Sequence, residues 1–84
     1  MLHGEIKVND RVIGVWQARR TQRFPAKVND YDCKVSWTDL AGNSYLAEFD
    51  LRHHFGHGAL VLTAAILTEA HKRIHQQERR TVNG

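Results

Sequence analysis

The spacing of apolar side chains predicts a β-hairpin at the start of the chain. Polar and apolar residues alternate over residues 5–8, an apolar-rich segment follows over residues 11–16, and Asn9-Asp10 lies between them with two residue types that tolerate the positive φ of a tight turn. In that register Ile6 lies opposite Ile13, and Val15 continues the same face. The other face then carries Val12, Trp16 and Ala18.

Two more segments alternate with a period of two residues, which is typical of strands with one buried face. In the first, Tyr31 to Thr38, one face carries Tyr31, Cys33, Val35 and Trp37. In the second, Ser44 to Leu51, one face carries Tyr45, Ala47, Phe49 and Leu51, and Leu46 is the exception to the alternation. Residues 39–43 contain Gly42-Asn43 and predict a turn. Arg19 to Asp30 breaks the pattern and predicts a long basic connection, for which an extended strand end followed by a wide loop is one interpretation.

After a connection over residues 52–58, the pattern changes to the period of an amphipathic helix, about Ala59 to Arg79. The sequence therefore predicts an α+β domain over residues 1–84, in which an antiparallel sheet of three to four strands packs against one long C-terminal helix (β-β-β(-β)-α). The expected core comprises Ile6, Ile13, Val15, Cys33, Val35, Trp37, Tyr45, Ala47, Phe49, Leu62, Ile66 and Ala70.

Apolar residues also lie around the rest of the helix in its first two turns. A chain of 84 residues has no second layer with which to cover them. Association with another chain, most simply as a symmetric homodimer, resolves this excess, and wrapping by the N-terminal hairpin is the alternative. The expected partner-binding residues are Leu60, Val61, Ala64 and Leu67.

Composition narrows the class of protein. Hydrophobic residues make up 42% of the chain and charged residues 25%, as in ordinary globular proteins. A lone cysteine favours a reducing cytoplasm, the first residues do not resemble a signal peptide, and the apolar stretch Ala59–Leu67 is too short to cross a bilayer. We expect a cytoplasmic protein that does not bind a membrane.

The sequence contains few residues in patterns typical of catalytic or metal-binding sites. We therefore expect a protein that is not an enzyme and needs no cofactor. His53, His54 and His57 are spaced closely enough to offer imidazoles to Zn²⁺, but no second set of ligands accompanies them, and a polar loop is the simpler interpretation. We therefore assign no metal site. Cys33 falls on the apolar face of its strand, where a thiol is inert.

A basic segment is the clearest polar surface feature. It carries Arg19, Arg20, Arg23 and Lys27, with Phe24 among them, and the formal charge of the chain is +3. Arginine grips phosphates and stacks on bases, and an exposed aromatic ring can stack as well. Nucleic-acid binding through these five residues is the alternative function. If Arg19 and Arg20 follow the strand alternation, they face opposite sides and the patch is diluted.

The order of elements resembles the C-terminal part of a double-stranded-RNA-binding domain. The residues that match are Tyr31 to Val35, the turn Gly56-His57-Gly58 and the later Ala64-Ala65. The Lys-Lys pair of that family is replaced by Leu and Val around residues 60–62, and the family's first helix is missing. The phosphate-gripping residues of the family therefore do not carry over to this chain.

The small size, the apolar helix and the lack of an enzyme motif are together similar to the accessory proteins that bacteriophages encode. Such proteins commonly bind one host protein in the bacterial cytoplasm. This resemblance implies binding of a protein partner. Together with the excess of apolar residues on the helix, it leads us to expect a self-associating interaction protein that binds a partner through its helix and sheet surface.

Overall fold

The computed structural model describes residues 1–21, 28–54 and 58–83, and the side chains of all of these except 28, 29, 54 and 81–83. It contains, in chain order, β1 (Leu2–Val8), β2 (Arg11–Thr21), β3 (Val28–Thr38), β4 (Ser44–His54) and α1 (Ala59–Asn83). The four strands form one sheet in the order β1-β2-β3-β4, and each neighbouring pair is antiparallel. The predicted α+β class is confirmed, and the sheet has four strands.

Three strands are longer than the alternation predicted. β2 continues to Thr21, so the segment from Arg19 to Asp30 begins with the extended strand end that is one interpretation of its sequence. β3 begins at Val28, so the last residues of that segment belong to a strand and not to the predicted connection. β4 likewise continues to His54. The ladder between β2 and β3 explains the first difference, since it pairs Arg19 to Thr21 with Asp30 to Asp32 and keeps polar residues in regular strands.

The first hairpin has the predicted turn but not the predicted register. Asn9 and Asp10 have φ angles of 51° and 64°, as a two-residue turn with both central residues in the left-handed region requires. Val8 and Lys7 pair with Arg11 and Val12 as expected. The register then shifts between Ile6 and Lys7, so that Ile6 pairs with Gly14 and Ile13 is the extra residue of a β-bulge.

This bulge exchanges the two faces of β2. Trp16 and Ala18 are buried in the core, although strict alternation placed them on the other side. Val15, which we expected in the core, is 52% exposed, and Ile13 is partly buried against the core. A shift of one residue moves every later side chain to the opposite face, which is the physical reason for both differences.

The second hairpin keeps the register that the sequence predicts. Cys33, Val35 and Trp37 face the core from β3, and Phe49 faces it from β4. Tyr45 and Ala47 pack partly buried against this core. The strands are joined by a turn that begins at Asp39, whose carbonyl accepts a hydrogen bond from the Gly42 amide at 3.1 Å.

The helix α1 covers one face of the sheet and packs chiefly over β3 and β4. Its buried stripe of Leu62, Ile66, Ala70 and Ile74 follows the i+4 spacing that the sequence indicates. Gly58 starts the helix, because its carbonyl accepts hydrogen bonds from the amides of Val61 and Leu62. The buried apolar core consists of Ile6, Trp16, Ala18, Cys33, Val35, Trp37, Phe49, Leu62, Ile66, Ala70 and Ile74.

Candidate interaction surface

The outward side of α1 carries exposed apolar side chains in its first two turns. Leu60 is 86% exposed and Val61 is 51% exposed, and Ala64 is exposed beside them. Leu67, the fourth residue predicted for this surface, instead packs partly buried against the core. We call Leu60, Val61 and Ala64 the helix patch.

The buried stripe of the helix determines where this patch lies. Leu62, Ile66 and Ala70 recur every fourth residue and hold one side of α1 on the sheet. Residues 60, 61 and 64 fall on the other side of the helical wheel from these positions, so their side chains point away from the sheet. The contacts between α1 and the sheet therefore do not bury residues 60, 61 and 64, which remain exposed to solvent.

The same outward side becomes basic in the second half of the helix. Lys72 and Arg79 are exposed there, and His75 Nδ1 lies 3.7 Å from Glu78 Oε2. Arg73 is different, because it is partly buried: its Nε donates to Glu69 Oε1 at 3.0 Å and its guanidinium lies 5.7 Å from the centre of the Phe49 ring. One exposed side of α1 thus has an apolar first half and a cationic second half.

The sheet face that α1 does not cover also presents apolar side chains. Val15 and Leu46 are 52% and 64% exposed, and both pair with Ser36 of the strand between them. These residues line a shallow depression of about 580 Å³. Leu46 was the exception to the β4 alternation, whereas no sequence signal placed Val15 here, because the bulge in the first hairpin decides its side.

Charged residues of both signs surround this sheet patch of Val15 and Leu46. Lys34 Nζ lies 3.9 Å from Glu48 Oε1 across β3 and β4. Arg52 Nε lies 3.5 Å from Asp30 Oδ1 further along the same pair of strands. Such exposed pairs contribute little to stability. They give the face a mixed charge with an apolar centre, which is the usual composition of a protein interface.

The predicted nucleic-acid residues are only partly within the described chain. Arg19 and Arg20 are consecutive residues of β2 and therefore point to opposite faces of the sheet. Arg19 pairs with Asp32, whose neighbour on β4 is Asp50, so acidic residues follow Arg19 across the sheet. Arg23, Phe24 and Lys27 lie outside the described residues. Nucleic-acid binding by this segment stays a prediction.

The described histidines are not gathered into a metal site. His53 is buried, and its ring meets that of Tyr31 edge-on with centroids 6.3 Å apart. Within residues 1–21, 28–54 and 58–83, no three His, Cys, Asp or Glu side chains are placed to hold a metal ion. The side chains of His54 and His57 lie outside the described part of the chain.

Cys33 is buried in the core, as its strand position predicts. Burial and, to a lesser extent, the nearby carboxylates of Asp32 and Asp50 raise the pKa of its thiol to about 11. Its Sγ lies 3.9 Å from the Tyr31 carbonyl oxygen. A thiol in this environment stays protonated at neutral pH and is a poor nucleophile.

No protein-family model, curated protein or solved structure matches this chain. None of the helices that the structure describes is long and apolar enough to span a bilayer.

Proposed function

We propose that this protein is a non-catalytic interaction protein that pairs with a second copy of itself through the helix patch and binds a protein partner through the sheet patch. The exposure of Leu60 and Val61 on a helix that already buries its opposite side carries this proposal. The protonated, buried thiol of Cys33 supports a role without catalysis.

The helix patch offers apolar surface whose burial favours self-association. Burying Leu60 and Val61 is worth roughly 3–6 kcal/mol before the cost of association, and a symmetric interface uses the patch twice. Ala64 lies between them on the surface and has a small side chain, so two helices can approach closely there. The buried side of α1 is unchanged by such pairing, because it faces the sheet.

The cationic half of α1 indicates the orientation of the pair. In a parallel arrangement Lys72 and Arg79 of one copy would lie beside the same residues of the other, and like charges repel. In an antiparallel arrangement the helices cross at Ala64, and the basic halves extend away from each other on opposite sides. We therefore propose an antiparallel contact between the first halves of the two helices.

The test of self-association is a charge placed within the patch. We expect Val61→Glu to convert the dimer to a monomer in sedimentation equilibrium, because a desolvated carboxylate would face its own copy across the symmetry axis. Leu60→Glu should act in the same way. Gln76→Glu is the matched control, since Gln76 is an exposed residue of the same helix outside the patch, and it should leave the dimer intact.

Circular dichroism and thermal unfolding of the same variants separate association from folding. A monomeric wild-type chain, or loss of the dimer in Gln76→Glu, would overturn the proposal. Unfolding of both Val61→Glu and Leu60→Glu as monomers would also overturn it, because it would make these residues part of the core.

The sheet patch is tested by a capture experiment, in which this protein is immobilised and the partner protein is retained on it. We expect Leu46→Lys to lose a protein that the wild type retains, while Val61→Glu keeps it, because the two patches lie on different sides of the molecule. Leu40→Lys is the matched control, because Leu40 is an exposed leucine in the turn before β4. Equal capture by Leu46→Lys and the wild type would remove the sheet patch from the proposal.

The predicted nucleic-acid function has a separate test. The test is a fluorescence-anisotropy titration with duplex DNA, single-stranded DNA and duplex RNA at about 50 and 200 mM salt. Electrostatic binding to the phosphate backbone weakens by orders of magnitude over that range of salt concentration. Submicromolar, salt-sensitive binding that Arg20→Glu with Arg23→Glu removes would replace the protein-binding proposal. We expect no such binding.

A further inference from the structure

A cleft of about 800 Å³ opens between the tip of the first hairpin, the turn before β4 and the second half of α1. It arises because α1 packs chiefly over β3 and β4 and leaves the tip of β1 and β2 less covered. Most of its lining is apolar: Val8, Val12, Ile13, Trp37, Leu40 and Ile74. The cleft lies at the opposite end of α1 from the helix patch and away from the sheet patch.

Trp37 contributes the most unusual group in this cleft. Its side chain is 6% exposed and stacks on the ring of Tyr45, with ring centres 5.5 Å apart and planes inclined by 25°. Its indole N–H is buried and has no acceptor among the described residues. A buried donor without an acceptor destabilises the fold, and an oxygen atom brought by a ligand would offset that cost.

The charges at the cleft favour a ligand without a net charge. Arg11 is exposed at its edge and makes no ion pair within the described chain, so it attracts anions. Asp39 and Glu78 line the same cleft and repel them. The Asp39 carboxylate accepts hydrogen bonds from Asn43 and Tyr45, which hold its pKa below the usual range, so it remains charged at neutral pH.

We infer that this cleft is a binding site for a small, uncharged and largely apolar molecule that carries a carbonyl oxygen. The volume lies in the range of small-molecule sites, which are mainly apolar with a few polar groups that orient the ligand. On binding, the Trp37 ring turns to bring its enclosed N–H to the carbonyl oxygen, and the apolar body contacts Val12, Ile13 and Ile74. The site is independent of the proposed self-association.

Two probes of nearly equal shape test the role of the carbonyl group. 2-Acetylnaphthalene carries the acceptor, and 2-isopropenylnaphthalene replaces its oxygen with a CH₂ group. In protein labelled with ¹⁵N at its two tryptophans, we expect the acetyl probe to move the indole proton of Trp37 downfield and to leave that of Trp16 in place. It should bind about 3- to 10-fold more tightly than the isopropenyl probe.

Two valines of the same strand provide matched variants. Val12→Glu introduces a carboxylate into the cleft and should abolish binding of the acetyl probe, whereas Val15→Glu makes the same change on the uncovered sheet face and should preserve it. Trp37→Phe identifies the Trp37 resonance and should remove the difference between the probes.

Equal affinity of the two probes for the wild type would overturn the inference. So would a lack of saturable binding, a shift of Trp16 in place of Trp37, or equal loss in the two valine variants. Because none of these variants changes the helix patch, sedimentation of the same samples distinguishes this result from a failure of self-association.

Discussion

The two hairpins of this protein belong to one sheet, but different local features set the register of their strands. The first has a two-residue turn and a bulge, and the bulge decides which residues of β2 face the helix. The second has a longer turn tied by the Asp39 side chain, and its strands pair from Val28 to His54 without a shift of register. Alternation therefore describes the side-chain faces directly only in the second hairpin.

The difference shows that a turn does not fix the whole register of a hairpin. The positive φ angles of Asn9 and Asp10 fix only the first two pairs, and the packing of larger groups decides the rest. Placing Trp16 in the core buries far more apolar surface than placing Val15 there. The extra residue in β2 permits that exchange, at the cost of one irregular pair.

Truncation of the neighbouring residues Trp16 and Val15 should give two variants that differ most in their free energy of unfolding. We expect Trp16→Ala to lower the free energy of unfolding by about 3–5 kcal/mol, because it leaves a large cavity in the core. Val15→Ala should lower it by less than about 0.5 kcal/mol, because Val15 is half exposed. Urea denaturation measures both, and a greater loss for Val15→Ala would show that the unbulged register is the correct one.

Substitution of one glycine in each hairpin should have an intermediate effect. A Cβ at Gly14 would clash with the Ser36 carbonyl and lie 2.8 Å from the Trp37 Cα, so Gly14→Asn should cost about 3 kcal/mol or more. A Cβ at Gly42 meets nothing within 4 Å, and the φ of 89° is the only obstacle. Because Asn tolerates positive φ, Gly42→Asn should cost less than about 1 kcal/mol.

Chemical denaturation of the two glycine variants distinguishes these causes. Similar losses in both would mean that backbone conformation, and not the close approach of β2 and β3, requires a glycine at position 14.

The smallest effect should come from the Asp39 side chain, and it should depend on pH. Hydrogen bonds from the Asn43 backbone and, to a lesser extent, from the side chains of Tyr45 and Asn43 lower the pKa of Asp39 below its ordinary value of 3.8. A carboxyl with a lowered pKa in the folded state stabilises the fold above its unfolded pKa, and this contribution is lost as the pH falls through the folded value. Asp39→Ala should therefore lower the melting temperature slightly at neutral pH.

The pH dependence is the diagnostic part of this prediction. The difference in melting temperature between Asp39→Ala and the wild type should shrink as the pH falls below about 3.8. A difference that is the same at about pH 7 and at about pH 2.5 would assign the effect to lost packing and not to the charged hydrogen bonds.

Periodicity in the sequence predicted the class of fold, the turns and the buried stripe of the helix, because each depends on neighbours within a few residues. The exposure of Leu60 and Val61 also follows from that stripe. The bulge at Ile13 could not be predicted, because it depends on competition between Trp16 and Val15 for one face. The cleft beside Trp37 depends on how far α1 extends over the first hairpin, which no local pattern encodes.

The order of strands in the sheet has a consequence for how the chain folds. Every strand pairs with its neighbour in sequence, so the sheet forms entirely through short loop closures, which favours rapid folding. The helix follows the four strands in the chain, and until it docks, the side chains of Trp16, Val35 and Phe49 face water. During synthesis from the N-terminus, we expect the completed sheet to be the species most exposed to aggregation, and the 25 residues of α1 to end that exposure.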